Sequence, residues 1–439
     1  RANGSVTFLP NVQFRTRSAG TGRVGTRYGR GSGTSELDSA LSTLLHEYAH
    51  HFLIGSARHA MPRWLSEGAA EYFSSARFND DGSVDIGLPN NSRAWEISQA
   101  APVSVRQLLD YDLYRKNRSS RYSAYYGRAW LLFHYLRFNP ERAGELQKYW
   151  GAVASGMDSM EAGEKIFGDL DKLESELKEY GRQRSMAGMR FAASDIRTGS
   201  VAVSELSDGH ADMMDVIIRS KRGVDENEAK NVVVDARSIA ARHPADAHVL
   251  AALAEAEFDA GEFDAAIVAA KSATAIDPNI TNAYVQQGYA LFKKAKEAEN
   301  KKAAYASALA PFTALNAIEN DHTQPLIYYY RSFTERGLAP PESAKFALER
   351  ATQLAPFDKA LAMEAASMKA AEGETTVARY LLAPVAADPH GGRMGRLAQA
   401  MVEVLKTAPD GSRVDFQALR DEFEADEDGD GEDGGDEDT

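Results

Sequence analysis

Three residues carry the densest chemistry in this chain: His46, Glu47 and His50, within Thr43-Leu44-Leu45-His46-Glu47-Tyr48-Ala49-His50-His51-Phe52. On a helix, residues four apart share a face, so both imidazoles can grip one metal ion at about 2.0–2.1 Å. Glu47 follows the first histidine, which sets a carboxylate beside an open coordination position, where it can take a proton from water. Hydrolysis at zinc needs a third protein ligand and a fourth position left for water. Downstream, Trp64-Leu65-Ser66-Glu67-Gly68-Ala69-Ala70-Glu71-Tyr72-Phe73 reads as a second helix, with sixteen residues between His50 and Glu67. That is enough chain to leave the first helix, turn back and bring Glu67 to the same ion. His59 is a rival third ligand, but eight residues separate it from His50, where the third-histidine pattern has about five. His51 reads as a last-turn cation that favours the helix C-terminus.

HEYAH followed by WLSEGAAEYF resembles the gluzincin metallopeptidases, particularly the peptidase MA-like families, which share this pattern with aminopeptidase-N-like enzymes. The resemblance covers roughly residues 36–140. It implies that His46, His50 and Glu67 are zinc ligands, that Glu47 is the general base, and that Glu71 is the carboxylate orienting a ligand histidine. A further match lies at Tyr125-Tyr126-Gly127-Arg128-Ala129-Trp130-Leu131-Leu132-Phe133-His134-Tyr135-Leu136. In the aminopeptidase-N-like enzymes a similar helix begins with a Tyr that stabilises the oxyanion, and the matching position is Tyr126. A phenol is a neutral donor at neutral pH, as that task requires. Tyr125 is the neighbour best placed to replace it, and His134 reads as a buried, satisfied side chain. No GxMEN-like exopeptidase stretch occurs, which favours endopeptidase action on a peptide or protein substrate.

The elements that must position these residues follow from periodicity and turn chemistry. Ser35-Glu36-Leu37-Asp38 reads as a capping box opening the first helix, whose expected apolar stripe is Leu37, Leu41, Leu44, Leu45, Tyr48 and Phe52, with Gly55 at its end. A strand-like run spans Val6–Phe14, a Gly- and Arg-rich loop follows over Ser18–Gly33, and Asn79-Asp80-Asp81-Gly82 predicts a hairpin. Gly20-Thr21-Gly22-Arg23-Val24-Gly25 matches GxGxxG, but no helix opens directly behind it, so it reads as a loop and not a nucleotide site. The expected fold is an α+β gluzincin-like domain over residues 1–190, a connecting segment over 191–226 with one strand-like run (Gly199–Leu206), and all-α repeats over 227–410. An acidic tail, 411–439, closes the chain and is expected to be disordered.

The third region repeats. Leu250, Leu253, Ala254, Gly261, Phe263, Ala266, Ala273 and Pro278 stand at the spacing of a 34-residue helix-turn-helix unit; Tyr284 and Gly288 restart it. Leu326, Gly337, Ala344, Ala351 and Pro356 form another copy, and Gly373, Ala378 and Pro389 a further one. This resembles a tetratricopeptide-repeat (TPR) array over roughly 247–392, with an insertion at Lys293–Lys302. Such arrays offer a groove to a protein partner.

The chain has 439 residues, no cysteine and a net charge of −14. Zero cysteine excludes disulfides and thiolate metal sites, leaving zinc to His and carboxylates. Twelve of the acidic side chains fall in residues 421–439, which hold no Lys or Arg, leaving −2 for everything before. A nearly neutral body gives no electrostatic footprint for nucleic acid, and no apolar run is long enough for an integral membrane segment. The chain opens on Arg1 with no charged-then-apolar leader, which reads as a processed form or a fragment. The tail residues Asp426, Asp428, Asp430, Gly431 and Glu437 match a calcium-loop pattern formally, but no exiting helix follows and the match reads as composition. The resemblance implies a bacterial periplasmic or secreted setting, with the cytoplasm as alternative. The competing function is a non-catalytic TPR scaffold whose zinc site is vestigial or structural.

Overall fold

The computed structural model describes residues 36–56, 61–89, 91–183, 185–197, 199–200, 202–386 and 392–425. These fall into two compact units: one takes in 199–361, the other 36–197 together with 362–425.

The site-bearing unit begins with α1 (Glu36–Ser56) packed on α2 (Arg63–Ser74), and α2 in turn packs on α6 (Tyr125–Phe138). Between them come β1 (Arg77–Phe78), β2 (Val84–Ile86), α3 (Asn91–Gln99), α4 (Val105–Leu109) and α5 (Tyr111–Lys116). After α6 follow α7 (Glu145–Ala154), α8 (Ser159–Phe167), α9 (Leu170–Tyr180) and β3 (Met189–Phe191). Gly68 explains how closely α2 meets α6: a Cβ there would lie 2.5 Å from the Ala129 carbonyl oxygen. Trp64, Tyr125, Trp130, Leu131, Leu132, Tyr149, Leu173 and Leu177 fill the core beneath.

The strands form one antiparallel sheet in the order β1-β2-β3, with Phe78 opposite Val84 and Asp85 opposite Arg190. Its hairpin turns at residues 79–83, where the sequence places it. Asp85 on the central strand is buried and held by Arg77 at 2.9 Å and Arg190 at 2.6 Å. Three strands of two or three residues are the whole sheet among the described residues, so this unit is mostly helical there. The strand content expected of an α+β domain is not among them, and the run Val6–Phe14 and the Gly-rich loop lie outside the described residues.

The first helix also departs from its expected face. Leu41, Tyr48 and Phe52 are exposed, whereas Ala49 is buried. The side turned to α2 is the one carrying His46, Ala49 and His50. A helix whose polar residues do the work buries that face, and an apolar-stripe reading then points the wrong way.

In the other unit, α10 (Asp208–Arg222) and α11 (Glu226–Arg242) lead into α12 (Ala247–Asp259), α13 (Phe263–Ile276), α14 (Thr281–Glu297), α15 (Lys301–Ile318), α16 (Thr323–Thr334) and α17 (Glu342–Leu354). Each packs on the next, as a helical repeat requires. The stretch 191–226, expected as a connector, therefore holds a full helix, and the described residues of the expected strand Gly199–Leu206, 199–200 and 202–206, are irregular. Small residues set the helix spacing: Ala254, Ala270, Ala273 and Ala283 are fully buried together. Gly261 and Gly337 end α12 and α16 at φ values of +82° and +70°, which a side chain rarely adopts. Gly288 admits the Phe312 ring, which a Cβ would meet at 2.3 Å. The insertion Lys293–Lys302 is absorbed as extra helical turns, making α14 and α15 seventeen and eighteen residues long.

In the site-bearing unit's second stretch, α18 (Lys359–Glu372), whose first residues belong to the repeat unit, is followed by α19 (Thr375–Ala386), α20 (Gly392–Thr407) and α21 (Gln417–Ala425). Residues 411–425 were expected as disordered tail; instead Phe416 is buried with Leu382 and Met401, and Arg420 donates to Ser367 Oγ at 2.5 Å. One apolar anchor outweighs the acidic composition around it. The acidic residues 426–439, with the calcium-like pattern, lie outside the described residues.

Candidate metal centre

α2 reads as a charged stripe inside a core. Arg63, Glu67 and Glu71 recur every four residues, and all three are buried, at 9%, 9% and 2% exposure. Charged side chains are almost never that buried unless paired. Their partners come from α1, α3, α5 and α6.

His46 and His50 turn their Nε2 atoms together, 3.0 Å apart. Glu67 Oε2 closes the triangle at 3.2 Å from His50 Nε2 and 3.5 Å from His46 Nε2. Ligands about 2.0–2.1 Å from a tetrahedral centre stand ~3.3 Å from one another, so the three edges match the base of such a tetrahedron. Among the described residues no other group of three His, Cys, Asp or Glu is this compact. The donor set, two imidazoles and a carboxylate, suits zinc.

The far nitrogens are also engaged. His46 Nδ1 lies 3.2 Å from Glu71 Oε1, and His50 Nδ1 lies 3.2 Å from Ser66 Oγ. The carboxylate of Glu71 only accepts, so it holds the His46 proton on Nδ1 and leaves Nε2 to face the centre. Glu71 is held in turn by Arg93 at 2.5 Å, and Arg93 reaches Glu96 at 2.6 Å.

The electrostatics call for positive charge at this point. Burial alone works against protonating His46, but hydrogen bonds to Glu67 and Glu71 outweigh it and raise its pKa to about 9. Burial likewise opposes ionising Glu67, yet its bonds to His46 and His50 bring it to about 2. Glu71 moves in the same direction, held down against burial by His46 and Arg93. Two fixed carboxylates thus draw whatever cation, proton or metal, sits between the imidazoles.

Glu47 is exposed on α1, between the two histidines in sequence. Tyr126 stands in the first turn of α6, half-buried, its hydroxyl accepting from Arg63 Nη2 at 3.3 Å; Arg63 Nε is 4.0 Å from Glu67 Oε1. Tyr125 differs sharply: it is 2% exposed, and its hydroxyl has no hydrogen-bond partner among the described residues. Burial raises its pKa well above the ordinary phenol value. The first turn of α6 lacks a side-chain cap from Ala124; Glu96 Oε1 supplies one by accepting from the Gly127 N–H at 2.8 Å.

His134 is fully buried, with Nδ1 on the Tyr180 hydroxyl and Nε2 at 3.0 Å from the carbonyls of Gly87 and Ala187. His51 is exposed, and His59 lies outside the described residues. Four residues that the sequence reading does not single out complete the arrangement: Arg63, Ser66, Arg93 and Glu96. Arg63 carries a readable signal, four residues before Glu67 on the same face; Arg93 and Glu96 sit on a helix with no motif of its own.

A family described as a protein of unknown function (DUF1570) matches residues 40–155, which span α1 to the end of α7. No curated protein matches the chain. Among solved structures, a thermophilic TPR protein of Thermus thermophilus is 14% identical, with 44% of this chain and 99% of that one covered and a TM-score of 0.39. The MamA RS-1 ArsTM double mutant is 15% identical, with 46% of this chain and 97% of that one covered and a TM-score of 0.30.

Proposed function

We propose that this chain is a zinc-dependent peptidase of the gluzincin kind, acting within peptide or protein substrates. One observation carries the reading: His46 Nε2, His50 Nε2 and Glu67 Oε2 stand 3.0 to 3.5 Å apart while both Nδ1 atoms are tied behind them. A structural site needs the triangle but has no use for a glutamate directly after the first histidine, nor for a phenol held by the arginine that also faces the third ligand.

His46, His50 and Glu67 would hold the ion, which supplies Lewis-acid activation of a water molecule and of the scissile carbonyl. Glu47 takes the proton from that water as its oxygen attacks the carbonyl carbon. Tyr126 donates a hydrogen bond to the oxygen that gains negative charge. Glu47 then returns the proton to the amide nitrogen, the C–N bond breaks, and an amine and a carboxylic acid leave, the acid giving its remaining proton to solvent. Glu71 keeps the His46 imidazole in the required tautomer, and Glu71 and Ser66 together hold the two rings in orientation throughout.

The test is a peptide library incubated with purified protein and with Glu47→Gln. The expected outcome is full zinc content in both, with cleavage lost in the variant; cleavage by the variant at the wild-type rate would falsify the assignment.

The helical repeat favours a second reading, in which the chain recruits a protein partner and the metal centre only stabilises the fold. Zymography with and without chelator separates the two. A scaffold shows no chelator-sensitive band.

A further inference from the structure

Tyr126 is flanked by two arginines, each tied to a carboxylate of α2. Arg63 sits 4.0 Å from Glu67 and donates to the Tyr126 hydroxyl at 3.3 Å. It donates also to the Tyr111 hydroxyl, and its guanidinium carbon lies 4.6 Å from the Tyr111 ring centre. Arg93 lies on the ring: its guanidinium carbon is 5.3 Å from the Tyr126 centroid while its Nη2 bonds Glu71. Arg63 is 9% exposed, so the protein has desolvated this cation to place it here.

An arginine only donates. The Tyr126 oxygen therefore accepts from Arg63, and the phenol carries a proton of its own to donate in another direction. We propose that Arg63 is a positioning residue, whose planar fork fixes the Tyr126 hydroxyl against the Glu67 side of the metal centre. The inference rests on the peptidase reading and names what makes Tyr126 competent in it. Arg63 touches neither substrate nor reacting atoms; it acts through Tyr126. Its geometry explains why an arginine stands there. Two hydroxyls and one carboxylate surround a single rigid fork, whereas a lysine offers one point charge on a flexible stem.

The experiment compares the full chain, zinc-loaded, as wild type, Arg63→Met, Arg63→Lys, Tyr126→Phe and the Arg63→Met/Tyr126→Phe pair. Each single Met or Phe variant is expected to lower kcat about 100-fold, the loss typical of one oxyanion donor, with KM and zinc stoichiometry unchanged. The double variant should be no slower than Tyr126→Phe alone. A double-variant loss equal to the product of the single losses overturns the proposal, because Arg63 would then act independently of Tyr126. Should Arg63→Met fail to fold, Arg63→Lys carries the same cycle.

A second readout needs neither metal nor activity. With 3-fluorotyrosine at position 126 in the metal-free protein, the fluorine resonance should move on Arg63→Met or Arg63→Lys; an unmoved resonance also overturns the proposal. If the wild type neither binds zinc nor cleaves peptides, the peptidase reading falls, and the resonance alone decides whether Arg63 anchors Tyr126.

Discussion

The two units bury different kinds of surface, although α12 also buries Glu255 and Glu257, paired with Lys221 and Arg237. Around α12 and α13 the interior is mostly alanine and those helices approach closely, while between α14 and α15 Phe292, Tyr305 and Phe312 fill the space, with Gly288 giving way to the Phe312 ring. Around α2 the interior includes Arg63, Glu67, Glu71, Arg93 and Glu96, every one paired. Packing small residues is self-sufficient. Burying paired charges stabilises weakly at best, since desolvation offsets most of the attraction, and breaking one member leaves an uncompensated charge behind. A fold that maintains such a stripe keeps it for what the stripe does.

The comparison breaks most visibly at the metal. Zinc at a thousandfold excess over its dissociation constant should stabilise the site-bearing unit by about 4 kcal/mol, read as a rise in its unfolding midpoint. His46→Ala or Glu67→Ala should abolish that rise, and hydrogen exchange in α12 to α17 should not change. A zinc-dependent shift that survives Glu67→Ala would place the ion elsewhere.

Two glycines sharpen the contrast at a smaller scale. Gly288→Ala forces a Cβ to 2.3 Å from the Phe312 ring, and overpacking of this kind costs about 1–3 kcal/mol. Only stability should suffer, with zinc affinity intact. Gly68→Ala puts its Cβ 2.5 Å from a backbone oxygen, which cannot swing aside. It should cost a similar amount and also move Glu67 away from Tyr126, so denaturant midpoint and hydrolysis should fall together. Equal hydrolysis in Gly68→Ala and wild type would mean that the α2–α6 spacing does not set the site.

Below these come the groups behind the ligands. Glu71→Gln and Ser66→Ala should each weaken zinc about 10–100-fold, measured by chelator competition, with Glu71→Gln the larger because it also removes one of the two carboxylates that hold Arg93. Neither change should alter the repeat unit.

How much of this was legible depended on whether a residue's role showed in its spacing. His46, His50, Glu67 and Glu71 sit at helical intervals that bring them together, and the structure does so. The repeat was legible for the same reason: Gly261, Gly337 and the small residues between them recur, because one packing problem recurs. Tyr48 and Phe52 misled, since an apolar stripe normally faces inward, whereas α1 turns its histidines to α2. Arg93 and Glu96 were silent, because nothing local announces that a surface-looking pair on α3 will meet a carboxylate on α2. Phe416 was lost in the average of its acidic surroundings.

His134 supplies the finest test, because it shares α6 with Tyr126 yet belongs wholly to the packing. Burial lowers its pKa below the ordinary histidine value, with the carbonyls of Gly87 and Ala187 pulling the other way. The unfolded chain therefore binds this proton more readily than the folded one. Its contribution is complete above the unfolded value of about 6.5 and is lost as pH falls below it, at no more than about 1.4 kcal/mol per pH unit. His46 shifts in the opposite sense in the metal-free protein, so the comparison belongs in zinc-loaded samples. The difference in stability between wild type and His134→Gln should shift in the variant's favour between pH 6.5 and 5, while carboxylates such as Glu67 and Asp85 remain ionised. A constant difference across that interval would show that His134 takes up a proton as easily inside the fold as outside it, and that the polar cage around its ring does not exclude charge.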